Sequence, residues 1–193
     1  MYNFKNSILI VVFNYSNCIC NKNTIEKIYE KHFKKIIFYS DYPSIKDNDV
    51  NFVDINRGYN THKIFNHLYK MFRSVIDDSD GLFYTMDDNI ININILNLFN
   101  TDRIIFNYNV VKPLEYYSDS EWFHWNKKHG KNAVKLLMCD NEFKKHNINK
   151  FNRSFSDWFY LPKKYLTDKT FELFDLFSKY NVFLEIAIPS VIN

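Results

Sequence analysis

Short apolar segments alternate with helix-like segments through the first half of the chain, and this alternation limits the folds that it can adopt. Residues 7–14 form a continuous apolar, β-branched run that is typical of a strand buried on both faces. A helix is expected from about Thr24 to His32, because Thr24 can accept a hydrogen bond at its first turn. Two further strands are expected at residues 36–39 and 50–53, each followed by polar residues.

The next two segments complete a β-α-β-β-α-β order. A long amphipathic helix is predicted from about Thr61 to Ile76, and an apolar strand follows at residues 82–86. The predicted core stripe of that helix consists of Ile64, Leu68, Met71, Phe72 and Val75. Such alternation favours a parallel-rich sheet covered by helices. The predicted fold class is therefore α/β, with a single Rossmann-like domain whose mixed, mostly parallel sheet is flanked by helices.

The second half of the chain has a less regular pattern. The expected elements are a helix at 91–99, a strand at 103–106, a helical segment that ends at Leu136–Met138, a strand at 155–161 and a helix at 168–180. The polar, Lys- and Asn-rich residues 140–153 are predicted to form an exposed, mobile loop. Neither an internal repeat nor a composition break divides the sequence, so residues 1–193 are expected to form one domain.

The amino-acid composition and net charge indicate which kinds of binding partner are expected. The chain has 193 residues, of which 46% are hydrophobic and 19% aromatic, which indicates a folded globule with a substantial core. The net charge of +3 is mild, and the lysines occur as scattered pairs. A nucleic-acid-binding protein usually concentrates its basic residues in one stripe, so no nucleic-acid partner is expected.

The cysteines and the first apolar run bear on the expected location of the protein. Cys18, Cys20 and Cys139 are an odd set that fits neither a disulfide framework nor a four-ligand zinc site. A reducing, cytoplasmic compartment is the expectation. The run Ser7–Phe13 is too short to span a bilayer and lacks the flanks of a signal peptide, so no membrane span is expected.

The strand at 82–86 ends abruptly in Asp87, Asp88 and Asn89. In an open α/β sheet, the carboxyl ends of the strands border the ligand crevice. Closely spaced oxygen ligands suit Mn²⁺ or Mg²⁺, which can in turn hold a diphosphate. A solvated turn is the alternative, because Asp and Asn are also common in turns. Asn89 is the weakest of the three candidate metal ligands, since it carries no charge.

Polar and aromatic residues after the first strands are candidates for contacts with a nucleotide. Phe13 and Asn14 close the first strand, and Asp41 follows the second. An aromatic ring can stack on a base, and the carboxylate can accept the N3–H of uracil. His62 and Lys63, at the start of the long helix, could reach a phosphate, because a helix N-terminus favours anions. The alternatives are a simple turn around Asp41 and a solvated helix face.

Two acids and two tryptophans are candidates for the reacting end of a substrate. Asp157 and Glu185 are each candidate general bases that could take a proton from an acceptor hydroxyl. Glu185 is a lone acid in an apolar stretch, where an acid either has a role or faces solvent at a strand edge. Trp122 and Trp125 could stack on a sugar ring, although core packing is the commoner fate of tryptophan.

Five segments, taken in order, resemble a group of GT-A-type glycosyltransferases that includes STELLO-like proteins and enzymes of large DNA viruses. The segments are Gly58–Tyr69, Asp80–Asn89, Trp125–Ala133, Asp157–Pro162 and Phe183–Pro189. They are similar to the patterns G-Y-x-x-Y-x-x-L, D-G-Y-L-x-x-D-D, W-x-x-x-x-G-x-x-A, D-x-x-Y-x-P and E-x-A-x-P of that group. No single segment is specific, but their common order is moderately so.

The resemblance implies a GT-A fold and transfer of a sugar from a nucleotide-diphospho-sugar, with a UDP-sugar favoured, to a hydroxyl of a glycan or other acceptor. It also implies a divalent metal, with Asp87 and Asp88 on the acidic pair of the family. Asn89 departs from a full acidic triplet, which puts the ligand set in doubt. The AT-rich residue usage is compatible with a viral enzyme in the host cytoplasm or virion.

Two other functions remain open at this stage. A nucleotidyltransferase could use a similar sheet and acidic metal site, but it would be expected to have a glycine-rich triphosphate loop after the first strand. Residues 14–23 contain no glycine. The other alternative is a non-catalytic nucleotide- or sugar-binding module, in which Asn89 marks a lost activity.

Overall fold

The computed structural model describes residues 4–13, 16–106, 112–114 and 122–192, and its first half alternates strands with helices. A short 3₁₀ turn at Phe4–Asn6 precedes β1, and a second 3₁₀ segment at Ser16–Asn21 leads into α1. The regular elements are β1 (Ile8–Phe13), α1 (Lys22–Tyr29), β2 (Lys35–Ser40), β3 (Val50–Phe52), α2 (Lys63–Met71), α3 (Arg73–Asp77), β4 (Gly81–Met86) and α4 (Ile93–Leu96).

The second half adds short strands and four helices. An irregular helical segment at Lys128–Asn132 leads into α5, and a 3₁₀ turn at Lys163–Tyr165 follows β8. The regular elements are β5 (Ile105–Phe106), β6 (Lys112–Pro113), α5 (Ala133–Cys139), α6 (Asn141–Lys145), β7 (Asn152–Arg153), β8 (Trp158–Pro162), α7 (Asp168–Lys179) and α8 (Leu184–Val191).

A six-stranded sheet with the order β3-β2-β1-β4-β8-β5 organises the fold. Strands β3, β2, β1 and β4 are parallel, whereas β8 runs antiparallel to β4 and to β5. Ile10 in β1 lies opposite Ile37 in β2 and Tyr84 in β4. Strands β6 and β7 form a separate antiparallel pair. The prediction of an α/β fold with a mixed, mostly parallel sheet flanked by helices is confirmed.

The alternation of side chains along β1 divides the core between the two faces of the sheet, because successive residues of a strand point to opposite sides. Ile8, Ile10 and Val12 pack in one cluster with residues of α2 and α7, whereas Leu9 and Val11 face a cluster under α1. Every residue of β1 is buried. A strand covered on both faces requires an uninterrupted apolar run, and residues 8–13 provide it.

A third cluster belongs to the second half of the chain and includes the segment that sequence analysis assigned to a mobile loop. Within residues 140–153, α6 and β7 are ordered elements, so the loop prediction is wrong. Asp140 caps α6 by accepting a hydrogen bond from the Glu142 amide at 2.7 Å. Phe143 and Phe151 are buried and stack with their ring centroids 5.9 Å apart. These two rings anchor the segment.

The predicted helix at 61–76 is two helices, because the backbone of Phe72 leaves the helical region (φ −128°, ψ 26°). The break changes the direction in which the residues around it point. Met71, which was predicted in the core stripe, is 65% exposed, whereas Leu68 is fully buried. The packing of Phe72, Val75 and Ile76 against the core accounts for the change of direction.

Among the helices of the described residues, none is long and apolar enough to cross a lipid bilayer.

Candidate functional site

The acids that follow β4 lie where the strand order of the sheet reverses. After β1 the chain builds outward through β2 and β3, and β4 then pairs with the free side of β1. The carboxyl ends of β1 and β4 therefore form a topological switch point, the place where open α/β sheets bind ligands. The Asp87 amide donates to the Val12 carbonyl at 3.1 Å, which fixes Asp87 at this point. Asp87 is buried, and Asp88 is exposed.

Asn89 supports Asp88 in this arrangement. Its side-chain amide donates to Asp88 Oδ1 at 3.1 Å, and its backbone amide donates to the Met86 carbonyl. Asn89 therefore orients the neighbouring carboxylate, and its own oxygen is a secondary candidate for a metal.

The pair Asp87 and Asp88 fits Mg²⁺ or Mn²⁺ as part of a ligand set. Within the described residues, no group of three or more His, Cys, Asp or Glu side chains is arranged to hold a metal ion. Mg²⁺ is nevertheless commonly bound by one or two carboxylates and completes its coordination with water and substrate phosphates. The chemistry of two adjacent carboxylates suits a cation of that kind, with the phosphates of a ligand supplying further oxygens.

Cys18 joins the site from the 3₁₀ segment that follows β1. Its side chain is hydrogen-bonded to Asp87, and this bond is the main cause that raises the pKa of the thiol to about 11. Burial and the charges of Asp87 and Asp88 act in the same direction. The thiol is therefore protonated at neutral pH and donates to the carboxylate. Sequence analysis missed this contact, although Cys18 follows the same strand end as the other candidates.

Asp157 lies at the same edge of the sheet as Asp87, because β8 begins where the antiparallel β4 ends. Strand β8 is antiparallel to β4, and Trp158 lies opposite Thr85. Asp157, one residue before β8, is therefore next to the end of β4 and is exposed. The buried Tyr84 hydroxyl lies beneath this group. Burial is the main cause that raises the pKa of Tyr84, and the charges of three acids add to it; these are Asp157, Asp88 and Asp87.

Glu185 is the fourth acid of the site and belongs to the first turn of α8. Its carbonyl accepts the Ser154 amide at 3.1 Å, which ties the helix start to the segment before β8. The side chain is 9% exposed. Burial, with a smaller contribution from the charge of Asp157, raises the pKa of Glu185 to about 7, and the charge of Arg153 opposes the shift. Glu185 thus lies in a buried helical turn and not at a solvent-facing strand edge.

Arg153 and Trp122 form the wall beside Glu185. The Arg153 guanidinium lies 4.3 Å from the centroid of the Trp122 ring, a cation–π contact. Trp122 and Trp125 are each 8% exposed and pack in the core cluster of the second half. Neither tryptophan therefore offers an open face to a sugar, and core packing is the role of both. The accessible aromatic ring of this segment is Phe123, at 62% exposure.

The remaining predicted residues lie apart from the acids or outside the described structure. Phe13 is fully buried and stacks on Phe38 at 5.7 Å, so it offers no face to a base. Asn14 lies outside the described residues. Asp41 accepts a hydrogen bond from the Arg57 amide at 2.7 Å and holds the loop after β3. Lys63 lines a separate cavity.

His62 is part of the core. The side chain is fully buried, and desolvation lowers the pKa of the imidazole to about 3, while a backbone contact with Phe177 opposes the shift. The imidazole is therefore neutral and presents no accessible atom to a ligand.

A polar cavity of about 460 Å³ lies between the segments that follow β1 and β2. Its lining includes Ile19, Cys20, Lys22, Asn23, Ile45 and Asp47. The ammonium of Lys22 is 3.0 Å from Asp47 and 3.1 Å from Asp49, so this lysine is already paired with two carboxylates. The cavity combines apolar walls with amide and carboxylate acceptors, and Cys20 connects it with the segment that carries Cys18.

Comparisons with known protein families, with curated proteins and with solved structures found no match for the chain.

Proposed function

We propose that this protein is a metal-dependent glycosyltransferase that moves a sugar from a nucleotide-diphospho-sugar to an acceptor hydroxyl. The observation that supports this most strongly is the meeting of four acids at one switch point of the sheet. Asp87 and Asp88 come from the end of β4, and Asp157 and Glu185 approach from β8 and α8. A direct sugar transfer requires charge stabilisation of the leaving diphosphate and one general base for the acceptor hydroxyl; Asp87 and Asp88 are the candidates for the first, and Asp157 and Glu185 are the candidates for the second.

The donor side of the proposal uses the cavity between the segments that follow β1 and β2 and the acids at the end of β4. The nucleoside would occupy the cavity between Ile19 and Asp47, and its diphosphate would extend toward Asp87 and Asp88. Bound there, Mg²⁺ or Mn²⁺ would neutralise negative charge that develops on the departing nucleoside diphosphate. The thiol of Cys18 and the amide of Asn89 would hold the two carboxylates in place.

Glu185 is the proposed general base. A carboxyl group with a pKa near 7 is about half ionised at neutral pH. Its ionised form can therefore accept a proton there, and it is basic enough to assist removal of the proton from the acceptor hydroxyl. The acceptor hydroxyl would give its proton to Glu185 while its oxygen bonds to the anomeric carbon. The bond from that carbon to the diphosphate oxygen breaks, and the diphosphate keeps the electron pair. A direct displacement of this kind inverts the configuration of the sugar.

A thermal-shift series with UDP-, GDP-, dTDP- and CMP-sugars, with and without Mn²⁺, tests the proposal. A ligand that binds only the folded state stabilises it by about 2.7 kcal/mol at a hundred times its dissociation constant. We expect one nucleotide class, with UDP favoured, to raise the melting temperature only when Mn²⁺ is present. Absence of any shift across the series contradicts the proposal. A metal-dependent shift without turnover on any acceptor identifies a non-catalytic binding module.

A further inference from the structure

A second cavity, of about 680 Å³, lies between the loop after β3, the first turn of α2, the segment before α5 and the end of α7. We call it the asparagine cavity, after the residues that define it: Asn56, Asn60, Lys63, Lys128, Asn132 and Asn181. Asp87, Asp88, Asp157 and Glu185 are not part of its lining. Its volume lies within the range of small-molecule sites, which is about 300–1,000 Å³.

The buried side chain of Asn60 is the main evidence that this cavity binds a ligand. The side chain is only 1% exposed, and its amide nitrogen donates to Asn181 Oδ1 at 3.2 Å. Its carbonyl oxygen is buried and has no hydrogen-bond partner among the described residues. A buried polar atom without a partner is unfavourable, and native proteins rarely retain one without a reason. A ligand hydroxyl in the cavity would satisfy this oxygen.

His129, which also lines the cavity, has a second buried polar atom of this kind. Its Nε2 atom is also buried without a partner in the part of the chain that the structure describes, and the residue lines the same cavity. The backbone of His129 is fixed, because its carbonyl accepts the Phe183 amide at 2.9 Å. The cavity thus holds two buried polar atoms that require a hydrogen-bonding ligand or water.

The charged residues of the cavity favour an anion. Within the described ranges, neither Lys63 nor Lys128 forms an ion pair. Lys179 is already bound to Asp140 at 2.7 Å, and Asp54 is the acid among the lining residues. Two unpaired ammonium groups against one carboxylate leave a positive excess. Lys63 is also the first residue of α2, whose N-terminal end has no side-chain cap and attracts negative charge.

We propose that the asparagine cavity binds a sugar that carries an anionic group. Carboxamides pair well with neighbouring sugar hydroxyls, because each has one acceptor and two donor hydrogens. The ammonium groups of Lys63 and Lys128 would hold the phosphate or carboxylate, and Leu136 and Ala133 offer apolar surface to the ring. Asparagine is abundant throughout the chain, so the number of asparagines in the cavity indicates little; the buried Asn60 oxygen is the feature that points to a ligand.

Calorimetric titrations with glucose 6-phosphate, glucuronate and glucose test this site directly. Both anionic probes are expected to bind with saturation, and glucose is expected to bind more weakly. Lys128→Glu, on an exposed side chain, is expected to weaken both anionic probes by about tenfold or more, the loss of one charged hydrogen bond. Lys31→Glu, which makes the same charge change on an exposed lysine outside the cavity, is the matched control and is expected to leave affinity unchanged.

Two more variants separate sugar binding in the asparagine cavity from the proposed glycosyltransferase activity. Asn60→Leu is expected to weaken all three probes, and its melting curve shows whether it folds; Lys128→Glu provides the result if it does not. Asp88→Ala is expected to bind the anionic probes like the wild type, because the cavity is separate from the metal site. Failure of both anionic probes to saturate the wild type overturns the proposal, as does equal weakening by Lys31→Glu or loss of binding in Asp88→Ala.

Discussion

Two acids of the candidate site have opposite surroundings, and this difference divides their roles. Asp88 is exposed at the end of β4, where its carboxylate can meet water, a cation and phosphate oxygens. Glu185 is buried in α8, and burial raises its pKa to about 7. A buried carboxyl group whose pKa is raised to near neutral pH is suited to take up a proton, as a general base must. In the proposed function, Asp88 would therefore stabilise charge and Glu185 would transfer a proton, although both are carboxyl groups.

The raised pKa of Glu185 predicts a pH-dependent cost in stability. Its folded pKa of about 7 is above the ordinary value of 4.5, so the folded state binds the proton more tightly. The stabilising contribution is fully present below pH 4.5 and is lost as the pH rises through 7. The full loss is about 3 kcal/mol, because one pKa unit corresponds to about 1.4 kcal/mol.

Urea unfolding on either side of this window checks the effect. Relative to the wild type, Glu185→Gln is expected to lack most of the Glu185 loss between about pH 5 and about pH 8, whereas the opposite contribution of buried His62, whose pKa is lowered, is present in both proteins. Glu172→Gln, on the exposed face of α7, is the control and is expected to keep the wild-type difference. If Glu185→Gln and wild type lose the same stability over that range, Glu185 is not the titrating group.

At the residue scale, local patterns marked Asp87, Asp157 and Glu185 one by one as candidates, but did not indicate that they lie near one another. Asp87 and Asp157 each adjoin a strand, whereas Glu185 stands out as a lone acid in an apolar stretch. Phe13 was predicted to stack on a base, but the period-two alternation of β1 turns its ring toward Phe38. No sequence pattern marked Arg153 as a site residue, because it lies in a segment that resembles a loop in sequence.

At the scale of elements, strands were predicted more accurately than helices. Strand β4 spans Gly81–Met86 against a prediction of 82–86, because a buried strand in this sheet needs a continuous apolar run. The helix-forming segments were less certain, since packing decides where a helix breaks. The helix at Asn141–Lys145 did have a signal, because Asp140 precedes it in the position of an N-cap.

The break at Phe72 predicts different effects for two apolar residues of α2. Leu68→Ala is expected to reduce the free energy of unfolding by about 2–5 kcal/mol, because it leaves a cavity in the core. Met71→Ala, one turn further on and 65% exposed, is expected to change it by less than about 0.5 kcal/mol. Denaturant titration of both variants measures these values. Similar losses would mean that α2 continues through Phe72 with Met71 in the core.

Gly81 is expected to be required at the start of β4. A Cβ atom there would lie 2.5 Å from the Leu161 carbonyl oxygen and 2.5 Å from the Tyr160 hydroxyl. That hydroxyl donates to the Asp80 carbonyl at 3.1 Å, so Gly81→Ala would disturb the pairing of β4 with β8. We expect a loss of about 1–3 kcal/mol on thermal or denaturant unfolding.

The neighbouring Asp80→Ala is the control for Gly81→Ala, because the Asp80 side chain is exposed and its backbone contacts remain. A Gly81→Ala protein as stable as this control would contradict the close approach of β8 to β4.

At the scale of the whole molecule, the site depends on a pairing that sequence alone could not reveal. Thr85 and Trp158 are far apart in the chain, and their antiparallel register places Asp157 beside Asp87. The class of fold followed from the alternation of strands and helices, but the strand order did not. The order β3-β2-β1-β4 is what makes the ends of β1 and β4 a switch point.

Metal-dependent turnover in Asp88→Ala is the most direct test of the proposed donor site. The assay uses the nucleotide-sugar that gives the largest Mn²⁺-dependent thermal shift, and the control is Asp102→Ala, which removes an exposed carboxylate elsewhere. We expect Asp88→Ala to lower turnover by about a hundredfold or more, since it removes charge stabilisation of the leaving group. Its stability should stay within about 0.5 kcal/mol of the wild type. A folded Asp88→Ala protein with wild-type, Mn²⁺-dependent turnover would contradict the central claim.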